Sequence, residues 1–184
     1  MCNNKEKNPV AGFTLVELGV VIAIIAILAA VLTPVVFKSI DKAKVTRTIA
    51  DLKAIKQAAT AIYIDLSVFP SEGAWCVGNG FVNITEVPAG FQAKWQGPYL
   101  EKWPKEFPYG DCVTYLRGSW GQCFDFDGVG GNDAYVHLRD SSTSFTNEIK
   151  LKIDSAIDDG DLTTGVIKNC RGGLTYFIGE GFAW

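Results

Sequence analysis

Histidine is nearly absent from this sequence of 184 residues, which contains only His137. An H-E-x-x-H zinc site needs two histidines, so that class of metalloprotease is excluded. Neither a G-x-S-x-G nucleophile turn nor a phosphate-binding glycine loop is present. The sequence also lacks C-x-x-C-H, so covalently bound haem is not indicated. We therefore predict no catalytic residues and interpret His137 as a structural or exposed residue of a strand.

The chain also lacks an excess of positive charge. It has 17 Lys and Arg residues against 20 Asp and Glu residues, for a net charge of −3. Proteins that bind nucleic acids present a basic surface to the phosphate backbone. The composition therefore predicts no nucleic-acid partner.

Charge is scarcest between Phe13 and Phe37, where Glu17 is the one ionisable side chain. An apolar run of roughly 20 residues is long enough to cross a bilayer as one helix. The segment before it is short and carries Lys5 and Lys7. A signal peptide has a small-residue cleavage site after its apolar core, whereas here the small residue Gly12 comes first. Ionisable groups within such a helix are functional by default, which directs attention to Glu17.

The residues around this junction resemble a known processing site. Gly12 followed by Phe13-Thr14-Leu15-Val16-Glu17-Leu18 is similar to the site of type IV prepilins and type II secretion pseudopilins. The resemblance implies that residues 1–12 are a leader, which a prepilin peptidase removes after Gly12 before methylating the Phe13 amine. It also implies that Glu17 pairs with the Phe13 amine of a neighbouring subunit during filament assembly.

The helix is expected to continue beyond the apolar run. Residues 13–37 form the predicted membrane or filament-core part, and residues 38–68 the amphipathic continuation. Apolar residues recur there at steps of three and four, which marks one helix face: Val45, Ile49, Leu52, Ile55, Ala59, Ile62 and Leu66. Pro34 predicts a kink or a local unwinding, and the segment 69–73, with proline and glycine, ends the helix.

Residues 69–184 are expected to form a globular head. Residues 71–110 form a structured loop, and short antiparallel strands follow. The predicted strands are Cys112–Arg117, Gln122–Phe126, Ala134–Leu138 and Leu174–Ile178. The pattern of 145–157 fits either a strand or a helix, and the helix is preferred. The fold class is therefore α+β and pilin-like, with a long helix packed on a small antiparallel sheet.

Cysteine placement indicates the compartment. Cys2 lies in the leader, and four cysteines follow the apolar run: Cys76, Cys112, Cys123 and Cys170. An even number in an exported domain predicts two disulfides. Four cysteines allow three pairings, and the sequence does not choose among them.

Two acidic groups are candidate metal sites. One is Asp125, Asp127 and Asp133 on a glycine-rich loop; the other is Asp154, Asp158, Asp159 and Asp161, with Thr163 and Thr164. Hard cations such as calcium prefer oxygen ligands from such loops, although neither group has the EF-hand spacing. The resemblance implies calcium, because major pseudopilins have a calcium site in the C-terminal loop region. The alternative is ordinary solvated turns, in which Asp and Gly are common. No other cofactor is predicted.

The resulting functional prediction is a structural subunit of a type IV pilus-like filament, or fimbrium. Its precursor would cross the inner membrane once, and the processed subunit would enter a periplasmic or extracellular filament. The resemblance implies four partners: copies of the chain itself, prepilin peptidase, an assembly platform and minor pilins or pseudopilins.

Two alternatives stay open. One is the major pseudopilin of the type II secretion pseudopilus. The segment 97–105 resembles that protein, whereas the four cysteines and the extended region after Asp125 favour a pilin. The other, of a different class, is a signal-anchored periplasmic binding domain or enzyme that never polymerises. That protein would need an active site and would have no use for Glu17 at its position.

Overall fold

The computed structural model describes residues 12–73, 75–110, 112–118, 122–126, 128, 131–139 and 143–184. The predicted leader, with Cys2, lies almost wholly outside the described residues, as does Asp127. The chain divides into two compact units, Met1–Lys42 and Ala43–Trp184. Helix α1, Leu15–Leu66, contributes residues to both units.

The described part of the first unit is dominated by the apolar portion of α1. The helix continues through Pro34, so the predicted local unwinding is not observed. Proline lacks the N–H that would bond to the carbonyl four residues earlier. Just before it, the Thr33 hydroxyl donates to the Ala29 carbonyl at 2.6 Å. The helix therefore tolerates the missing donor at Pro34 without a break in its described course.

The second unit has a core built on the amphipathic part of α1. The predicted apolar face is buried: Leu52, Ile55, Ala59, Ile62 and Leu66 are each at most 2% exposed. Thr48 extends this face towards the N-terminus, and its hydroxyl donates to the Lys44 carbonyl at 3.0 Å. The prediction from periodicity is therefore confirmed.

Within the described residues, four strands form one antiparallel sheet in the order β1-β2-β4-β3. The strands are β1, Cys112–Arg117; β2, Asp133–Arg139; β3, Ile167–Cys170; and β4, Gly173–Glu180. Alternate side chains point to opposite faces of a strand. On β2, Val136 joins the main core with the face of α1, whereas Tyr135 joins a smaller cluster with Phe124. Helix α3, Asn147–Ile157, connects β2 to β3, as the preferred helical interpretation predicted.

One predicted strand is wrong and another was missed. Gln122–Phe124 is a 3-10 turn, not part of a strand. The Phe124 ring stacks on Tyr135, with ring centroids 5.1 Å apart, so this segment lies over the sheet instead of pairing with it. The missed strand, β3, is an edge strand of 4 residues whose middle positions are Lys168 and Asn169. Such a short polar strand gives little alternation to detect.

The loop between α1 and β1 is held by aromatic side chains with polar tips. It contains a 3-10 turn, Ile84–Glu86, and a short helix α2, Ala89–Gln92. The Tyr99 hydroxyl donates to Asp65 Oδ2 at 2.6 Å, and Trp103 Nε1 donates to the Val113 carbonyl at 3.0 Å. Both side chains are half-buried, and the polar tips of such aromatic groups usually find partners of this kind. The loop is thereby fixed to α1 at one point and to β1 at another.

Both predicted disulfides form among the described cysteines. Cys76 is bonded to Cys112, which joins the loop to the first residue of β1. Cys123 is bonded to Cys170, which joins the turn after β1 to the last residue of β3. The sequence left three pairings open, and the structure selects this one.

Candidate functional site

The N-terminus of α1 carries a reciprocal hydrogen-bond motif between Thr14 and Glu17. The backbone N–H and the hydroxyl of Thr14 both donate to Glu17 Oε2, at 2.9 and 2.8 Å. In return, the Glu17 N–H donates to Thr14 Oγ1 at 3.2 Å. This is a capping box, which satisfies donors that the start of a helix leaves unpaired. The T-x-x-E spacing of Thr14 and Glu17 is visible in the sequence, so Thr14 could have been predicted as a site residue.

The predicted processing residues lie beside this cap. Phe13 directly precedes Thr14 and is 83% exposed. Gly12 has no heavy atom within 4 Å of the position that a Cβ would occupy. The structure thus brings Gly12, Phe13 and Glu17 to one end of α1. Cleavage after Gly12 would turn the Phe13 amide into an amine at that same end.

The helix behind the cap has an apolar surface that its own chain leaves uncovered. Among the described residues, α1 is the helix that is long and apolar enough to cross a membrane. Leu15 is 88% exposed, Ile27 66% and Leu32 58%. Apolar surface on this scale is unfavourable in water. It must therefore be covered by lipid or by other protein chains.

The first acidic group does not form a described metal site. Asp125 Oδ1 accepts the Gly128 N–H at 2.7 Å, and Asp133 Oδ2 accepts the Phe126 N–H at 2.8 Å. These carboxylates hold the turn between β1 and β2. Asp125 fits the solvated-turn alternative, whereas Asp133 is the first residue of β2 and is 3% exposed. Asp127 lies outside the described residues.

The second acidic group is partly assembled. Oxygens of Asp154, Asp158 and Asp159 lie within 4.8 Å of one another. Asp161 is not part of that group; its Oδ1 accepts the backbone N–H and the hydroxyl of Thr163. Burial, followed by the nearby carboxylates of Asp158 and Asp159, raises the pKa of Asp154 to about 6. The backbone N–H of Gly160 opposes this shift and lowers the pKa of Asp154 in part. An oxygen-only set of this type fits calcium.

His137 lies on the sheet face opposite α1 and is 4% exposed. Its Nδ1 is 3.0 Å from the Thr175 hydroxyl, and its ring meets the edge of Phe124. A general base needs a reacting group within hydrogen-bond reach, and Thr175 is a neighbour in the sheet. The structural interpretation of His137 thus agrees with its described surroundings.

The burial of His137 predicts a loss of stability in acid. Burial, followed by the charges of Arg139, Arg171 and Lys150, lowers its pKa from 6.5 to about 4. Between these values the unfolded chain binds the proton and the folded chain does not. The contribution of His137 to the free energy of unfolding is therefore complete above pH 6.5. It falls as the pH drops towards 4, by up to about 3 kcal/mol.

The measurement is urea unfolding at pH 7, 5.5 and 4 for the wild type and for His137→Gln. The variant should lose less stability than the wild type over this range, because glutamine does not titrate. Acidic groups titrate in both proteins and cancel in the comparison. Equal losses in the two proteins would show that His137 is not held neutral by the fold.

The fold and the N-terminal site together define a class of protein. A capped apolar helix continues into an amphipathic part that packs on a small antiparallel sheet, and this is the architecture of a pilin-like filament subunit. A family model described as the prokaryotic N-terminal methylation motif matches residues 7–33, and one described as PilW, C-terminal, matches residues 39–119. No solved structure matches the chain.

Curated relatives make the class more specific. The chain is 34% identical to the type II secretion system core protein G of Pseudomonas aeruginosa, over 69% of this chain and 87% of the relative. It is 30% identical to the protein of that name from Klebsiella michiganensis, over 66% of this chain and 87% of the relative. It is 28% identical to the Vibrio cholerae protein, over 61% of this chain and 74% of the relative. The chain belongs to the family of type II secretion system core protein G.

Proposed function

We propose that this chain is the major subunit of a type II secretion pseudopilus and acts by polymerising, without a catalytic role. The observation that carries the proposal is the uncovered apolar surface of α1 between the Glu17 cap and residue 42. The relatives are type II secretion proteins, which favours secretion over a surface pilus. The four cysteines and the extended region after Asp125 keep the type IV pilus as the second candidate.

Assembly is a transfer of the apolar helix from lipid to protein. The precursor is held in the inner membrane by α1 and is cut after Gly12 by prepilin peptidase. The helices of successive copies then bundle in the filament core, with the Ala43–Trp184 units outside. Head-to-tail contacts that do not close generate a helical filament. An assembly platform and minor pseudopilins are the further partners of this proposal.

Cleavage after Gly12 is tested by the variant Gly12→Val. An added Cβ at residue 12 meets no atom within 4 Å, so the substitution should leave the fold intact. We expect uncleaved precursor in the membrane, detected by mass spectrometry, and no filaments. Gly90→Val is the matched control, because residue 90 has equally open surroundings in the second unit. A Gly12→Val protein with a mature N-terminus at Phe13 would contradict the assigned site.

The choice between secretion and a surface pilus is tested in the source organism. A strain lacking the gene should accumulate in its periplasm the proteins that it normally secretes, and should keep its surface pili. Wild-type and Gly90→Val genes should restore secretion, whereas Gly12→Val should not. Loss of surface pili with normal secretion would favour the type IV pilus instead.

A further inference from the structure

We propose that the second unit binds a small aromatic carboxylate in a cavity on the sheet face opposite α1. The cavity measures about 210 Å³, and its described lining includes the rings of Trp75, Phe124 and His137. Two charged side chains, Glu72 and Arg171, also line it. All of these residues lie within the Ala43–Trp184 unit, so the proposal does not depend on the type of filament.

The size and the lining of the cavity limit its ligand to about one ring. Sites for drug-sized ligands usually measure roughly 300–1,000 Å³ and combine apolar walls with a few polar groups. This cavity has the same kind of lining on a smaller scale: Trp75, Phe124 and Leu116 supply its apolar surface. Aromatic side chains favour offset or edge contacts with other rings. A molecule with a single aromatic ring therefore suits both the volume and the walls.

Disulfides attach both aromatic walls to the sheet. Trp75 directly precedes the first cysteine of the Cys76–Cys112 bridge, which ends on β1. Phe124 directly follows the first cysteine of the Cys123–Cys170 bridge, which ends on β3. The walls are therefore held in place before a ligand arrives. A site of this kind loses less conformational freedom on binding than one that must be ordered by its ligand.

Positive charge lies against both aromatic walls. Arg139 Cζ is 5.1 Å from the centroid of the Trp75 ring, and Arg171 Cζ is 5.7 Å from the centroid of the Phe124 ring. After burial, these two arginines are the next largest causes that lower the pKa of His137. The positive potential that disfavours a protonated histidine favours an anion in the same cavity. Guanidinium groups match carboxylates in particular, because they can donate two parallel hydrogen bonds.

The polar groups of the cavity also favour a hydroxyl group on the ring of the ligand. His137 Nδ1 is 3.0 Å from the Thr175 hydroxyl, and Nε2 makes no hydrogen bond with a described residue. A neutral imidazole can still donate or accept through its second nitrogen. Glu72 can accept a hydrogen bond from a hydroxyl group, whereas it would repel a second carboxylate. The expected ligand is therefore a hydroxyphenyl carboxylate with one negative charge.

The first test is calorimetric titration of para-hydroxyphenylacetate into the full chain purified in detergent, with detergent alone as the blank. We expect saturable binding of one molecule per chain. Tyrosol keeps the phenol but lacks the carboxylate, and cyclohexylacetate keeps the carboxylate but lacks the aromatic ring. Each should bind at least about tenfold more weakly, because each lacks a group that the cavity recognises. An absence of saturable binding, or equal binding of the three compounds, would overturn the proposal.

Two variants locate the site. Trp75→Ala removes one wall at a side chain that is 61% exposed. Arg171→Asn removes a charge at a backbone φ of 49°, which asparagine adopts more readily than most residues. Both should weaken binding of para-hydroxyphenylacetate about tenfold, and Arg171→Asn should leave the binding of tyrosol unchanged. The control Phe182→Ala removes an aromatic ring that is 74% exposed and does not line the cavity. Wild-type affinity in both cavity variants, or equal weakening in the control, would place the ligand elsewhere.

The second test separates loss of the site from loss of the fold. Without ligand, Arg171→Asn should melt close to the wild-type temperature. In excess para-hydroxyphenylacetate, the wild type and Phe182→Ala should gain melting temperature through ligand binding, and the two cavity variants should not. If Trp75→Ala does not fold, Arg171→Asn decides the question. A full ligand-dependent gain in Arg171→Asn would then refute the site.

Discussion

Replacing Glu17 by alanine is expected to abolish filaments while leaving the globular unit folded. In a filament core the Phe13 amine of one subunit would lie in a dry helix bundle and would need a negative partner. Removing one member of a buried ion pair costs about 3–5 kcal/mol. At about 1.4 kcal/mol per factor of ten, each subunit contact would weaken more than 100-fold. Filament yield by electron microscopy, with an immunoblot for mature protein in the membrane, measures the effect.

The capping box gives Glu17 a second role, as a cap of α1 beside its role in charge pairing. Two further variants separate these roles. Glu17→Gln keeps an oxygen that can accept from the N–H and the hydroxyl of Thr14, but it carries no charge. Thr14→Val keeps the charge and removes the reciprocal cap, at a cost of about 1 kcal/mol. If charge pairing drives assembly, Glu17→Gln should fail as alanine does, and Thr14→Val should assemble at reduced yield. Normal filaments from Glu17→Gln would show that Glu17 acts only as a cap.

Removing the Cys123–Cys170 disulfide should have the largest effect on the stability of the second unit. The bridge closes a loop of 47 residues, against 36 for Cys76–Cys112. Loop-closure entropy alone predicts about 4 kcal/mol for each bridge at these lengths. The Cys123–Cys170 bridge also fixes Phe124 against Tyr135. It holds the edge strand β3, which pairs only with β4 within the described sheet.

The measurement is denaturant unfolding of the double variants Cys123→Ala/Cys170→Ala and Cys76→Ala/Cys112→Ala. Both should lose about 2–5 kcal/mol of unfolding free energy, and the first should lose more. Alkylation of the exported wild type without reductant should modify none of these four cysteines. Ready labelling of two or more of them would contradict the two-bridge structure.

The helical part of this molecule was predictable because it depends on local pattern. Each signal used there depends only on residues close together in the sequence: the apolar run, the steps of three and four from Val45 to Leu66, and the Gly12-Phe13 junction. The disulfide pairing was not predictable, because it depends on which strand ends lie close together. Strand β3 was missed for a related reason: its four residues gain their conformation from pairing with β4.

Asp154 shows a different limit of sequence reasoning. It belongs to an acidic group in the sequence, and such groups usually lie in solvated turns. Its burial follows from the packing of α3, where Lys150, Ile153 and Asp154 all face inward. The sequence pattern of polar residues does not show which carboxylate points into the core and which is exposed.

In the proposed filament, the apolar helix of each copy is covered by the apolar helices of its neighbours. The most direct test is a helical reconstruction, by cryo-electron microscopy, of filaments assembled from the wild-type protein. It should show the apolar part of α1, starting at Phe13, packed against the same segment of neighbouring copies along the filament axis. The Ala43–Trp184 units should form the outer surface. Filaments in which the apolar helices lie outside the core, or a processed protein that never polymerises, would contradict the claim.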